Sequence, residues 1–223
     1  MGVSRPILGG VVIHLFCWGL VCVTLCSCSL FESHITPRHL AKIQAQPPVP
    51  APESELPYSS VDLDFPLSSI TSPKIYILKA DRRLWVIQDS ILVRDYHVAL
   101  GFNPTGDKYF KGDGRTPEGE FLICSKNSSS QYYKSLGINY PSLRNCENAL
   151  SAGMISFNEY CSIKQANDAM RMPPSNTALG GQVMIHGGGC NEDWTLGCIA
   201  LNNRAIDELF SVVQIGTPVY ILP

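Results

Sequence analysis

The chain has 223 residues, with 17 basic and 19 acidic side chains and a formal net charge of −2. That balance argues against nucleic acid as a partner, because neutralising phosphates takes a basic face. A hydrophobic share of 45 % is globular, and the length accommodates one catalytic-size domain plus further segments.

The apolar residues are unevenly spread. After Met1–Pro6, in which Arg5 is the only basic residue, residues 7–25 read ILGGVVIHLFCWGLVCVTL and lead into Leu25-Cys26-Ser27-Cys28. A charged start, an apolar stretch and small residues before a cut site describe a secretory signal. The LCSC ending resembles a bacterial lipobox, which implies that Cys28 becomes the first mature residue and carries the lipid. An uncleaved membrane anchor is the alternative, since residues 7–25 almost span a bilayer. Either way the remainder is expected to be exported and membrane-tethered. Residues 29–72 are rich in proline, as in AQPPVPAPESELP, and read as an extended linker.

A globular domain is expected over residues 73–223. KIYILK, RLWVIQ and ILVRDYHVAL are rich in β-branched and aromatic residues, and the breaks KADR and QDS suit hairpins. EFLIC (120–124) and QVMIH (182–186) are further strands, preceded by the turn formers GDGRTPEGE and ALGG. Residues 125–180 are mixed, with a helix expected around Ser162–Met170. Beyond residue 198 the period changes. Asn202 or Asn203 caps a helix carrying Ile206, Leu209, Phe210 and Val213, Gly216 ends it, and TPVYIL closes the chain as a strand. Mostly strand with a few short helices is the expected composition.

Nine cysteines stand at 17, 22, 26, 28, 124, 146, 161, 190 and 198. Four belong to the signal region, leaving an odd five in the body, so export leaves at least one thiol free or paired outside the chain. Cys146 and Cys161 are disulfide candidates, and Cys190 is a third. His186 ends a strand and enters Gly187-Gly188-Gly189; Cys198 follows Gly197 just ahead of the helix. These two could be a base and its nucleophile, two metal ligands, or neither. A nucleophilic thiol needs a base, a group orienting that base and oxyanion donors, and a helix N-terminus would favour the thiolate. Zinc on His186, Cys190, Cys198 and Cys161 is the rival, but only HGGGC offers ligand-like spacing. His97, in an alternating strand, reads as an ordinary strand residue. Lys108 and Arg115, in the GDK…GDGR loop, are candidates for meeting substrate carboxylates.

IHG followed by TLGCIAL resembles the active-site signature of the L,D-transpeptidase catalytic domain, also called the YkuD domain. The matching positions are His186, Thr195, Leu196, Gly197 and Cys198. GDKYFKGDGRTPEGEF (106–121), INYPS (138–142), LGGQVMIHG (179–187) and ALNNRAIDELFSVVQIGTPVYI resemble the same family. The resemblance covers roughly residues 73–222 and implies a β-sandwich-like, mostly antiparallel domain. It implies Cys198 as nucleophile, His186 as general base, the Gly187 carbonyl orienting the imidazole, the Gly197 and Cys198 amides lining the oxyanion hole, and Thr195 bracing the loop. The implied reaction is attack on an amide of a peptidoglycan stem peptide, with an acyl-thioester passed to an amine or to water and no cofactor. The implied place is the periplasmic side of the bacterial envelope. Two positions depart from many members, which carry His at 196 and Arg at 200. The T-x-G-C-x-A form resembles the YafK-like branch, some of whose members hydrolyse. A hydrolase and a chemically silent wall-binding module are therefore the alternative readings.

Overall fold

The computed structural model describes residues 56–223. The signal region, Cys28 and linker residues 29–55 lie outside the described residues.

Alternating apolar residues build the first layer. β2 (Lys74–Leu78), β3 (Arg83–Gln88) and β4 (Ile91–His97) form an antiparallel meander, and β9 (Pro218–Leu222) joins β2 in parallel. Ile75, Ile77, Leu84 and Val86 point inward at every second position, as the strand period requires. β1 (Ser60–Val61) adds in parallel to β4. It lies within residues read as linker, so ordered structure starts earlier than proline content suggests; its two exposed residues carry no apolar pattern to reveal it.

β5 (Gly119–Ser130) links the two layers. Its first residues pair with β9, the rest with β6 (Tyr133–Ile138), with register shifts at Ile123/Ser125 and Asn127/Ser130. Such irregularities bend a strand and re-aim its side chains. β7 (Met184–His186) continues antiparallel to β6, and β8 (Ile199–Ala200) lies parallel to β7. The full order is β1-β4-β3-β2-β9-β5-β6-β7-β8. Just past β4 the chain bridges to the far end, Ala99 to Ala200 and Gly101 to Thr195, so the sheet folds back over one core. The fold is a mixed, mainly antiparallel sheet of sandwich-like form with short helices, as the sequence implied.

α1 (Leu143–Ser151), α2 (Phe157–Asp168) and α3 (Asn203–Val212) complete the domain. The Asn202 side chain accepts from the Ala205 amide at 2.8 Å and starts α3. Ala205, Ile206, Leu209 and Val212 face the main core; Ile206 and Leu209 are fully buried, worth about 1.5–3 kcal/mol each. α1 and α2 share a second small core of Cys146, Ala149, Ile155 and Ile163. α1 and β6 were not anticipated. β6 runs through polar KSLG next to an NSSS tip, and α1 is only nine residues long and buries just Cys146 and Ala149. α2 starts five residues before the expected Ser162, where Ser156 and Glu159 form a reciprocal cap.

Candidate active site

β7 and β8 run side by side with His186 opposite Ala200 and Ile185 opposite Ile199. Side chains two apart on a strand share a face, so the residue before Ile199, Cys198, emerges on the face that carries His186. Ile185 and Ile199 turn the other way and are fully buried. Both site residues line one cleft of about 930 Å³, with Lys108, Lys111, Tyr132, Gln182, Trp194 and Gly197 among its walls. Among the described residues no carboxylate lines it.

His186 is 2 % exposed. Its Nδ1 lies 2.6 Å from the Gly187 carbonyl oxygen, which only accepts, so Nδ1 carries the proton and Nε2 keeps its lone pair. Burial pulls the imidazole below its ordinary 6.5, against the smaller opposing pull of that carbonyl. The ring is therefore neutral at pH 7. Tyr132 stacks on it at 4.6 Å between centroids, and Trp194 meets it edge-on at 5.6 Å. The Trp194 indole N–H in turn donates to the Gly189 carbonyl at 3.2 Å. The Gly188 amide donates to Asn203 Oδ1 and the Gly189 amide to the Leu201 carbonyl, tying the glycine run to the start of α3. A Cβ at Gly187 would sit 2.7 Å from Asn203 Oδ1 and 2.9 Å from the Tyr132 carbonyl, so the close approach demands glycine.

The turn that carries Cys198 is held by Thr195. Its hydroxyl donates to the Cys198 carbonyl at 2.8 Å and accepts from the Gly197 amide at 3.1 Å. The Gly197 amide is thus committed inside the turn, not free for an oxyanion as the family resemblance implied. Gly197 has φ +127°, and a Cβ there would meet the Arg115 carbonyl oxygen at 2.5 Å. Cys198 is partly exposed, and its thiol lies 3.8 Å from the Gln182 carbonyl. Among the described residues no hydrogen bond joins the imidazole to the thiol. Burial pushes the thiol up; a hydrogen bond from the Met184 amide and the Lys108 charge pull it down less strongly. This departs from the expected helix effect. β8 stands between Cys198 and α3, whose cap is already filled by Asn202.

Residues 103–118 form the opposite wall. Lys108, 5 % exposed, is ion-paired with buried Asp113 at 2.7 Å and also donates to the Phe110 carbonyl at 3.1 Å. The other contacts of Asp113 are the Tyr109, Phe110 and Arg115 amides. Asp107 Oδ1 accepts from the Lys108 and Glu118 amides, both at 2.7 Å. Behind them Lys79, 2 % exposed, reaches Glu118 Oε1 at 2.7 Å and the Gly106 and Thr116 carbonyls. Asp193 performs the same service for the loop between β7 and β8, accepting from the Leu100 amide and the Arg82 guanidinium.

The structure brings His186, Gly187, Thr195, Gly197, Cys198 and Lys108 together. Arg115 it does not: the guanidinium donates to the Asp107 carbonyl at 3.3 Å and lies over the Tyr109 ring, outside the cleft. Lys111 lines the cleft in its place, two glycines from the expected Arg115 in the same loop. Tyr132 and Trp194 were missed. Trp194 directly precedes the TLGC stretch in the sequence, but Tyr132 reaches the site only through the β5–β6 hairpin. His97 is exposed at the end of β4, as expected of a strand residue.

Cys124, Cys146, Cys161, Cys190 and Cys198 are all free thiols. Among the described residues no disulfide joins the candidates: Cys146 is buried in the small core, its thiol donating to the Leu143 carbonyl, while Cys161 faces outward on α2. Cys190 packs with Ala99 and Ala200. Among the described residues no three His, Cys, Asp or Glu side chains are grouped to hold a metal ion, and the four proposed zinc ligands are not gathered.

The L,D-transpeptidase catalytic domain family, YkuD, matches residues 72–221, and the chain belongs to it. No curated protein matches the chain. Among solved structures it is similar to an L,D-transpeptidase from Xylanimonas cellulosilytica, at 17 % identity over 69 % of this chain and 61 % of that one, TM-score 0.38. It is also similar to the helical cell shape determining protein Pgp2 from Campylobacter jejuni, at 22 % identity over 72 % and 55 %, TM-score 0.42. An L,D-transpeptidase from Mycobacterium smegmatis shows 12 % identity over 68 % and 59 %, TM-score 0.39. The chain thus spans between about half and three fifths of the length of these three proteins.

Proposed function

We propose that this member of the L,D-transpeptidase family is a cysteine acyltransferase acting on peptidoglycan stem peptides, with Cys198 as nucleophile and His186 as general base. The observation that carries the reading is a buried imidazole, its Nδ1–H held by the Gly187 carbonyl, on the same strand face as a partly exposed thiol. A base with its lone pair at Nε2 accepts the thiol proton; the sulfur then attacks an amide carbonyl carbon. The carbon–nitrogen bond breaks, the leaving amine takes the proton back from Nε2, and an acyl-thioester remains. In the resting site the thiol faces the Gln182 carbonyl, so a rotation about the Cα–Cβ bond precedes proton transfer. Lys111 lines the cleft and, among the described residues, no carboxylate does, which suits an acidic peptide. An N-terminal tether at Cys28 would hold the domain at the envelope, where that substrate lies.

An amine from a second stem peptide, a protein lysine or water completes the cycle. Transfer and hydrolysis share the first half-reaction. Leu196 and Ala200, where many relatives hold polar residues, favour keeping hydrolysis as the second reading; Leu196 is 77 % exposed at the cleft and Ala200 is fully buried. Incubation with tetrapeptide-bearing wall fragments, followed by mass spectrometry, is expected to give cross-linked dimers or exchange of the terminal residue. Shortened monomers alone would identify the hydrolase. Cys198→Ala is expected to abolish either product and any carbapenem adduct, and His186→Ala to slow adduct formation about a hundredfold or more. Full adduct formation by Cys198→Ala would sink the reading.

A further inference from the structure

The turn beneath Cys198 leaves the site short of one oxyanion donor. A tetrahedral intermediate needs donors placed where its oxygen becomes charged, and two amides are the usual supply in acyl transfer. Here the Gly197 N–H already donates to Thr195 Oγ1 at 3.1 Å, and that hydroxyl donates onward to the Cys198 carbonyl at 2.8 Å. Freeing the amide would dismantle the turn that positions the nucleophile.

One buried cation stands on the facing wall, next to this turn. An ammonium has three N–H donors. Lys108 spends one on Asp113 Oδ1 at 2.7 Å and one on the Phe110 carbonyl at 3.1 Å. Those are its hydrogen-bond partners among the described residues, so the third donor is unspent. Lys108 Nζ lies 3.8 Å from the point where a Gly197 Cβ would stand, and Lys108 and Cys198 line one cleft. Asp113 is 4 % exposed at its side chain and accepts three further hydrogen bonds, from the Tyr109, Phe110 and Arg115 amides of the same loop, which fixes the ammonium without consuming its third N–H. A lysine meant only to pair with Asp113 would not need the cleft wall. One meant for a remote substrate carboxylate would be poorly served by a head group sunk beside Gly197.

We propose that Lys108 is the oxyanion donor of this enzyme, its third N–H taking the place of the committed Gly197 amide. As the Cys198 sulfur bonds to the carbonyl carbon, the oxygen gains the electron pair of the former π bond and accepts from Lys108 Nζ. When the amine leaves, the pair returns to the carbon–oxygen bond. The ammonium keeps its protons throughout; the proton for the leaving amine comes from His186. The absence of a Cβ at Gly197 is what lets the oxygen lie between the two. This rests on Cys198 being the nucleophile.

The test uses the intact chain with a carbapenem as acyl donor, and iodoacetamide as a reagent that labels the thiolate without forming an oxyanion. Lys108→Met is expected to lower the maximal acylation rate about a hundredfold, with the half-saturating carbapenem concentration little changed, while alkylation at its high-pH plateau stays within about twofold of the parent. Lys108→Arg preserves the pair with Asp113 and so guards against misfolding; its acylation is expected to fall about tenfold. In the parent acyl-enzyme the thioester carbonyl infrared band should lie at lower wavenumber than in the unfolded adduct, and the shift should shrink in Lys108→Arg. Parent-like acylation in Lys108→Met, equal losses of acylation and plateau alkylation, or a band unmoved in Lys108→Arg would each overturn the assignment. Carbapenem uptake by Cys198→Ala would instead remove the reading beneath it.

Discussion

On one side of the cleft His186 and Cys198 ride on β7 and β8, held by a backbone ladder and by apolar neighbours such as Ile185 and Ile199. On the other side Lys108 sits in a loop with almost no ladder, held by buried charges: Lys79 to Glu118, Lys108 to Asp113, and amides to Asp107. The first wall draws its precision from interactions every residue type supplies. The second draws it from a few ionised groups, each costly when its partner is lost. The two walls meet at Gly197, whose Cα face presses on the Arg115 carbonyl.

The sharpest way to separate the walls is to break the charged one from behind. Lys79→Met leaves Glu118 buried without its cation, a loss on the order of 3–5 kcal/mol. Thermal melting is expected to fall by roughly 10 °C or more, with acylation lost although Lys79 does not line the cleft. A melt unchanged within a degree or so would mean that the loop is held by other means.

The junction gives a smaller effect. Gly197→Ala and Gly112→Ala both place a side chain at positive φ, +127° and +89°, but only the first meets a neighbour, the Arg115 carbonyl, while the second meets nothing within 4 Å. Gly112→Ala is expected to cost about 1 kcal/mol, and Gly197→Ala to cost about 2 kcal/mol more and to slow acylation. Equal melting temperatures for the two would show that the walls do not press on each other at this point.

The mildest change improves the loop. Burial lifts the Asp107 carboxyl to about 6, against two amide hydrogen bonds and the Lys79 charge. The native state therefore holds a proton that the unfolded chain, near 3.8, gives up sooner. Stability from this group is fully present below about pH 4 and is lost as pH rises through 6. Asp107→Asn keeps an oxygen for the Lys108 and Glu118 amides. Its melting temperature is expected to exceed that of the parent at pH 8, by up to about 3 kcal/mol in stability, and to converge with it near pH 4. A less stable variant at pH 8 would mean that the charge facing Lys79 outweighs its desolvation.

Much of this domain was legible in the chain because its signals are local. The strand period of KIYILK, RLWVIQ and TPVYIL, the Asn202 cap and the helical spacing of Ile206 and Leu209 each depend on residues a few positions apart. His186 and Cys198 stood out for the same reason, twelve positions apart with glycines between. β6 and α1 did not, since a polar strand in a hairpin and a nine-residue helix are stabilised mainly by what they pack on. What only the tertiary structure decided is which polar atoms are already engaged. The family resemblance implied Gly197 as an oxyanion donor, and the sequence offered Arg115 as a contact for substrate carboxylates and a helix end as the influence on Cys198. Folding assigned the Gly197 amide to Thr195, turned Arg115 toward Asp107 and placed β8 between Cys198 and α3. Hydrogen-bond capacity is used up by neighbours that are remote in the chain, and no local pattern records that.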